Sequence, residues 1–322
     1  MKVKSDMASI AILGSTDVTI SVANAVIEAG HRVAAIVYVP ADFSISYSAT
    51  PVNIARAADI PAWCQEFGAE AVPYEGPESI YQYFQEHRTC LCIVAGWYHL
   101  VPARIRALFE HGAVGFHASL LPQLRGGAPL NWAILAGLRE TGVTMFQLAD
   151  GVDDGLVFAQ STIAIGETDY VGDLVRKSGH ACFALVRDNL TAILNGTLRG
   201  REQFGVVSYG LQRSPEDGKI DWTRGAGDIL RLVRAASYPY PGAYTYFWNK
   251  RLTIWRAEVT GDLVHGAPGQ IFRLPTDGAV VIVTGSGLLR IIEATDAKGA
   301  DMLPTLRKAS HQRCDKHEDS AA

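Results

Sequence analysis

Over the first two thirds of the chain, short apolar runs alternate with longer segments whose apolar positions recur at helical spacing. Ser9–Leu13 (SIAIL) and Arg32–Tyr38 (RVAAIVY) read as buried strands, and between them 18–29 keeps helical spacing until Gly30 ends it. A strand, a helix and a strand joined this way form a parallel pair with a right-handed crossover. The alternation continues, with strands predicted at 71–74, 90–96, 112–117 and 143–148. Helices are predicted at 52–67, with a break near Pro61, and at 78–87, 104–110 and 130–136, before one long amphipathic helix over 170–194. This pattern predicts a doubly wound, Rossmann-like α/β parallel sheet.

After Asn195-Gly196 the texture changes. A helix at 226–236 is followed by five short strands at 244–248, 252–259, 269–273, 279–283 and 288–293, separated by Gly, Pro, Asp and Asn. Close spacing of that kind predicts a small OB-like β-barrel. The expected domains are therefore 1–200 and 201–308, with a polar, frayed tail over 309–322.

A chain of 322 residues is long enough for two domains. With 48% hydrophobic and 19% charged residues it is globular, and its net charge of -4 argues against general nucleic-acid binding, which relies on Lys and Arg neutralising phosphates. The five cysteines (Cys64, Cys90, Cys92, Cys182, Cys314) have neither metal-ligand nor disulfide-module spacing, so no metal is expected. No apolar run reaches membrane-spanning length and 1–9 lacks a signal-peptide core, which makes the cytoplasm the expected compartment and a membrane partner unexpected. The turn Gly14-Ser15-Thr16 has one glycine where a dinucleotide fingerprint needs three, so an NAD site is not expected.

The chemistry concentrates in the stretch FHASLLPQLRGGAPLNWAILAGLRETGVTMFQLADGVDDG, which runs from Phe116 to Gly155. His117 ends one strand-like run and Asp153 sits in a glycine-flanked turn after another; the carboxyl ends of strands are where open α/β sheets place their ligands. FHASLLPQLRGGAPLNWAILAG, with ETGVT and DGVDDG behind it, closely resembles the catalytic stretch of the folate-dependent formyltransferases. That group includes methionyl-tRNA formyltransferase and the amino-sugar N-formyltransferases. RSPEDGKIDW, LVRAASYPYPGAYTYF and LTIWRAEV resemble the connector and carboxyl-terminal domain of the same family, closest in texture to the formyltransferase part of the bifunctional UDP-aminoarabinose enzyme.

The resemblance implies transfer of a formyl group from 10-formyltetrahydrofolate to a primary amine. Such a transfer develops negative charge on the formyl oxygen and leaves a surplus proton on nitrogen. His117 matches the family's base, and Asp153, ahead of its neighbour Asp154, matches the carboxylate that favours the imidazolium form. His99, Leu100, Val101, Gly127, Ala149, Asp150, Gly151 and Val152 match the donor-binding segments. An apolar slot beside main-chain amides suits a pterin, and Trp97 and Tyr98 either close that slot or belong to the core. Ser119 and Arg125 stay open between ligand contacts and loop structure.

One position departs from the family. Its pattern is Asn-x-His, with the asparagine amide serving the oxyanion, but here Gly115 stands in that place. Loss of one such donor typically costs about a hundred- to a thousandfold in rate. Protonated His117, a backbone N-H, His99 or a water could replace it; alternatively the donor or reaction is altered, or the protein is a folate binder or a 10-formyltetrahydrofolate hydrolase.

The expected acceptor is a small amine, a nucleotide-linked amino sugar, rather than tRNA, because 33–54 carries no Lys or Arg for a nucleic-acid loop. Tyr47 and the aromatic-rich 238–248 could stack on a base or sugar, with barrel packing the alternative for the latter. The resemblance makes the second domain an accessory or dimer-forming part, so a homodimer is a further expectation.

Overall fold

The computed structural model describes residues 7–40, 42–43, 52–53 and 56–315, with backbone only for 42–43 and 52–53. Tyr47 lies outside them. The chain divides into two compact units, one of Met1–Pro129, Glu140–Ala164 and Val175–Gly210, the other of Leu130–Arg139, Ile165–Leu174 and Leu211–Ala322.

The first unit is built on a seven-stranded sheet. Its strands are β1 (Ser9–Leu13), β2 (Arg32–Tyr38), β3 (Glu70–Pro73), β4 (Leu91–Val94), β5 (Ala113–His117), β6 (Glu140–Gln147) and β7 (Val157–Ala164). In spatial order they run β7-β6-β5-β4-β1-β2-β3. The first five strands are mutually parallel, with β1 central and fully buried beyond Ser9, as the helical crossovers require. The sheet is not parallel throughout, because β6 runs antiparallel to β5, and β7 to β6. β7 was not predicted. Its centre is Gln160, Ser161 and Thr162, and as a sheet-edge strand it is only partly buried.

The helix predicted over 52–67 is shorter than expected. It spans Ile60–Phe67, with Asp59 accepting from the Ala62 N-H at 3.0 Å and Pro61 in the first turn, so the proline marks a start rather than a break. Val52–Asn53 pairs instead with Asp42–Phe43. In the β1-to-helix turn, a Cβ on Gly14 would lie 2.0 Å from the Ala95 carbonyl. The N-H groups of Gly14, Ser15, Thr16 and Asp17 are all taken within the protein, by Val37, Gly96, Thr19 and Arg56. The glycine therefore serves close packing, and the turn offers no amide nest to a phosphate.

The second unit packs a helix (Ala226–Ala236) on a five-stranded antiparallel sheet, β8 (Ala243–Phe247), β9 (Lys250–Thr260), β10 (Ile271–Arg273), β11 (Val280–Val283) and β12 (Leu288–Asp296). The order is β8-β9-β12-β11-β10. The expected OB-like barrel is not closed, since the edge strands β8 and β10 do not pair with each other. Other segments cover both edges: Ile271 exchanges hydrogen bonds with 311 and 312, and Tyr244 and Tyr246 accept from the N-H groups of Ile220 and Asp315. A covered edge has no free ladder to close a barrel with. The same contacts order the first part of the tail expected to fray, 309–315, where Ala309 and Cys314 are buried and the Asp315 carboxylate accepts from Thr245 at 2.9 Å; 316–322 lie outside the described residues. Aromatic packing accounts for Tyr244, which is buried, whereas Tyr238 and Trp248 are exposed.

Candidate active site

His117 is the last residue of β5, and its ring is buried in the first unit. Nδ1 lies 3.3 Å from Asp153 Oδ2 and Nε2 lies 2.6 Å from the Leu124 carbonyl oxygen. Both ring nitrogens thus face oxygen acceptors, an arrangement satisfied on both sides when both carry hydrogen. Asp153 Oδ2 also accepts from the Gly126 N-H at 2.8 Å. Asp154 is exposed and folds back over Gly151, so the partner of the imidazole is the first acid of the pair.

The two residues that hold the ring are themselves in left-handed backbone conformations, Leu124 with φ 55° and Asp153 with φ 49°. Aspartate tolerates this; for leucine it costs of order 1–2 kcal/mol. Hydrogen bonds hold both in place. The Leu124 N-H donates to Ser208 Oγ at 2.9 Å and the Arg125 N-H to the Ser208 carbonyl at 2.9 Å. On the other side, Gln203 Nε2 donates to the carbonyls of Asp153 and Gly155 at 2.7 and 3.0 Å, while its oxygen accepts from Arg125 Nη2 at 2.8 Å. Arg125 thereby acts on the loop frame, and Ser119 does the same by donating to the Gln123 carbonyl. Neither Gln203 nor Ser208 stood out in the sequence: they lie 78 and 84 residues beyond their partners Arg125 and Leu124, in the segment after Gly196 where turn composition gives no periodic signal.

Of the segments predicted to bind a donor, 149–152 adjoins Asp153 in the chain, and Gly127 follows Gly126, whose N-H donates to Asp153. Arg106 donates to the Leu148 carbonyl at 2.7 Å and pairs with Asp150, tying down the loop 149–153. Among the described residues, the backbone of Ala149, Asp150, Gly151 and Val152 enters no backbone hydrogen bond. Leu100 and Val152 expose apolar side chains. Val101, by contrast, packs on the cluster around Phe84 and Phe109, as does Trp97, which also stands edge-on to Tyr74. His99 stacks at 4.6 Å from Tyr74, and burial lowers its pKa. The Gly127 N-H donates to Gly210 at 2.8 Å. No group of three or more His, Cys, Asp and Glu able to hold a metal occurs among the described residues.

Gly115 has a packing reason to be glycine. A Cβ there would lie 2.7 Å from Leu148 Cδ2, inside contact distance, with Phe146 behind it at 3.6 Å. Leu148 bridges the Phe84 cluster and a second one of Leu121, Phe146 and Val157. The space that a side chain at 115 would take is filled by Leu148.

A largely parallel α/β sheet with a buried histidine and carboxylate at its carboxyl edge has the architecture of an enzyme that works on a small ligand. Comparison with known sequences makes the class specific. Residues 8–185 match the formyl transferase family and residues 213–306 the formyl transferase C-terminal domain, so the chain belongs to the formyl transferase family of enzymes. It is 29% identical over 302 residues to a methionyl-tRNA formyltransferase of Halalkalibacterium halodurans, covering 91% of this chain and 92% of that one. With the Thermodesulfovibrio yellowstonii methionyl-tRNA formyltransferase it shares 34% identity over 200 residues, 62% of this chain and 63% of that relative's length.

Among solved structures, HypX from Aquifex aeolicus in complex with tetrahydrofolic acid superposes with TM-score 0.66 at 19% identity. That match covers 92% of this chain but only 45% of HypX. The N-formyltransferase of Helicobacter canadensis, in complex with folinic acid and dTDP-3-aminofucose, gives 0.65 at 16%, covering 90% of this chain and all of that one. At such identities these structures speak for the fold. No helix among the described residues is long and apolar enough to cross a membrane.

Proposed function

We propose that this chain transfers the formyl group of 10-formyltetrahydrofolate to the primary amine of a nucleotide-linked amino sugar. The observation that carries the reading is the His117 ring held between Asp153 and the Leu124 carbonyl, within the segment matched to the formyl transferase family. His117 takes the surplus proton from the attacking amine. The imidazolium so formed donates on both sides, to Asp153 and to Leu124, which favours that transfer. The proton then passes to the donor nitrogen as its bond to the formyl carbon breaks.

The donor fits the loop 149–152, whose backbone edges can meet a heterocycle beside the exposed apolar side chain of Val152, with the exposed Leu100 as a further candidate contact. Neighbours with bound folates support the same donor. With Leu148 in the space beside Gly115 and both imidazolium N-H groups taken by Asp153 and Leu124, negative charge on the formyl oxygen is met by a backbone amide.

The net charge of -4 and the absence of Lys and Arg over 33–54 support a small acceptor. The relatives named for methionyl-tRNA support tRNA as the second reading. One assay separates them: 10-formyltetrahydrofolate is offered with dTDP- and UDP-linked amino sugars, with methionyl-tRNA and with no amine. Formylated sugar, absent with His117→Ala, is expected; transfer to methionyl-tRNA alone establishes the second reading, and formate without amine makes the protein a hydrolase.

A further inference from the structure

Between Gln203 and Ser208 the chain forms a four-residue arch, Phe204-Gly205-Val206-Val207. Its two feet stand on the two residues that hold the His117 ring: Gln203 on Asp153, and Ser208 on Leu124. Gly205 makes the turn with φ 117°, and the Ser208 N-H adds a bond to the Pro122 carbonyl at 3.3 Å. The crown is apolar and turned to solvent, with Phe204 97% and Val206 85% exposed. An anchored arch that leaves a phenylalanine in water beside a reactive histidine calls for a ligand surface.

We propose that Phe204, flanked by Val206, is the contact for the flat nucleobase of the acceptor, so that the arch reads the part of the substrate remote from the amine. This inference rests on the proposed function and adds to it the residue that recognises the nucleotide. Residues 203–212 contain no charged side chain, which suits an uncharged ring and not a polyanionic backbone. A second copy of the chain is a poorer occupant. Even with Tyr209 and Leu211, which are also exposed, the apolar side chains of this stretch fall short of the roughly 800 Å² per partner of a stable interface. Because the feet of the arch hold Asp153 and Leu124, a base stacked on the crown is linked through them to the frame of the imidazole.

Binding of dTDP, UDP and GDP, with pyrophosphate as the base-free control, is measured by calorimetry on the full chain, its Phe204→Ser and its Phe204→Tyr variants. At least one nucleotide should bind about tenfold or more weaker to Phe204→Ser, with Phe204→Tyr close to the parent and pyrophosphate indifferent to all three. Equal nucleotide binding by Phe204→Ser, or a parent that binds no nucleotide better than pyrophosphate, overturns the inference; so does a Phe204→Ser chain that sediments in a smaller oligomer than its parent. Exposure at 204 leaves the fold intact, which an unchanged melting temperature verifies. His117-dependent formyl transfer by the same preparations separates the two readings: its presence with nucleotide binding indifferent to Phe204 removes only the arch, and its absence removes the proposed function itself.

Discussion

Two histidines at opposite edges of the same sheet are almost equally buried, His31 at 5% and His117 at 7% exposure, and burial alone would rank them together. Their partners separate them. At the amino edge, beside the start of β2, His31 Nδ1 accepts from the Ala8 N-H at 3.3 Å and Nε2 lies 2.9 Å from Thr191 Oγ1. One nitrogen must be bare for that, so these contacts suit the neutral ring, which closes a gap between elements. At the carboxyl edge His117 has oxygen acceptors on both sides, one of them a carboxylate. One buried imidazole thus has a backbone donor at a ring nitrogen, and the other has acceptors at both.

The sharpest way to break this contrast is to remove each ring. His117→Ala should lower turnover per folded molecule by about 10²- to 10⁴-fold, the range for a lost proton-transfer group, beyond whatever stability its buried contacts supply. His31→Ala should do the reverse, leaving turnover per folded molecule within about threefold and costing about 1–3 kcal/mol in urea unfolding. Equal loss of turnover in both variants would erase the distinction. Asp153→Asn comes next, with a loss of about a hundredfold in kcat, since the amide can still meet the ring but carries no charge.

This contrast also marks what a sequence can carry. The strand ends that place His117 and Asp153 were legible because apolar runs of four or five residues stop there, and β1 and β2 were read to the residue. Leu124, Gln203 and Ser208 were not, since their roles are carbonyl and amide contacts across up to 84 residues that any residue of suitable reach could make. β7 was missed because a half-exposed edge strand needs little apolar pattern. The barrel was expected from strand spacing, which says nothing of whether edges meet; the segments at 219–220 and 311–315 cover them first. Gly115 stands in the sequence where the family has asparagine, and what the fold adds is that Leu148 fills the side-chain space there.

That pair gives a test on a smaller scale. Gly115→Asn should cost about 1 kcal/mol, because its Cβ overlaps Leu148 Cδ2, the movable end of a side chain. Leu148→Ala opens the space, so the two changes together should be less destabilising than their sum by at least about 0.5 kcal/mol. If the absent amide limits the rate, the double variant and not the single one should gain turnover. Strict additivity in chemical denaturation would show that the side chains do not compete for the same volume.

The smallest effect concerns His31 again, through pH. Burial lowers its pKa below the ordinary 6.5, and the Ala8 N-H aimed at Nδ1 opposes protonation there. As pH falls below about 6.5 the unfolded chain binds a proton at this residue that the folded chain refuses, so stability declines, and the decline levels off once the folded ring is itself protonated. His99, lowered by burial as well, tilts the curve the same way. His31→Asn keeps an acceptor for Ala8 but cannot titrate. Between pH 7.5 and 5.5 its unfolding free energy should therefore drop less steeply than that of the parent, while a steeper drop would mean that His31 is charged in the fold and that its likeness to His117 runs deeper than burial.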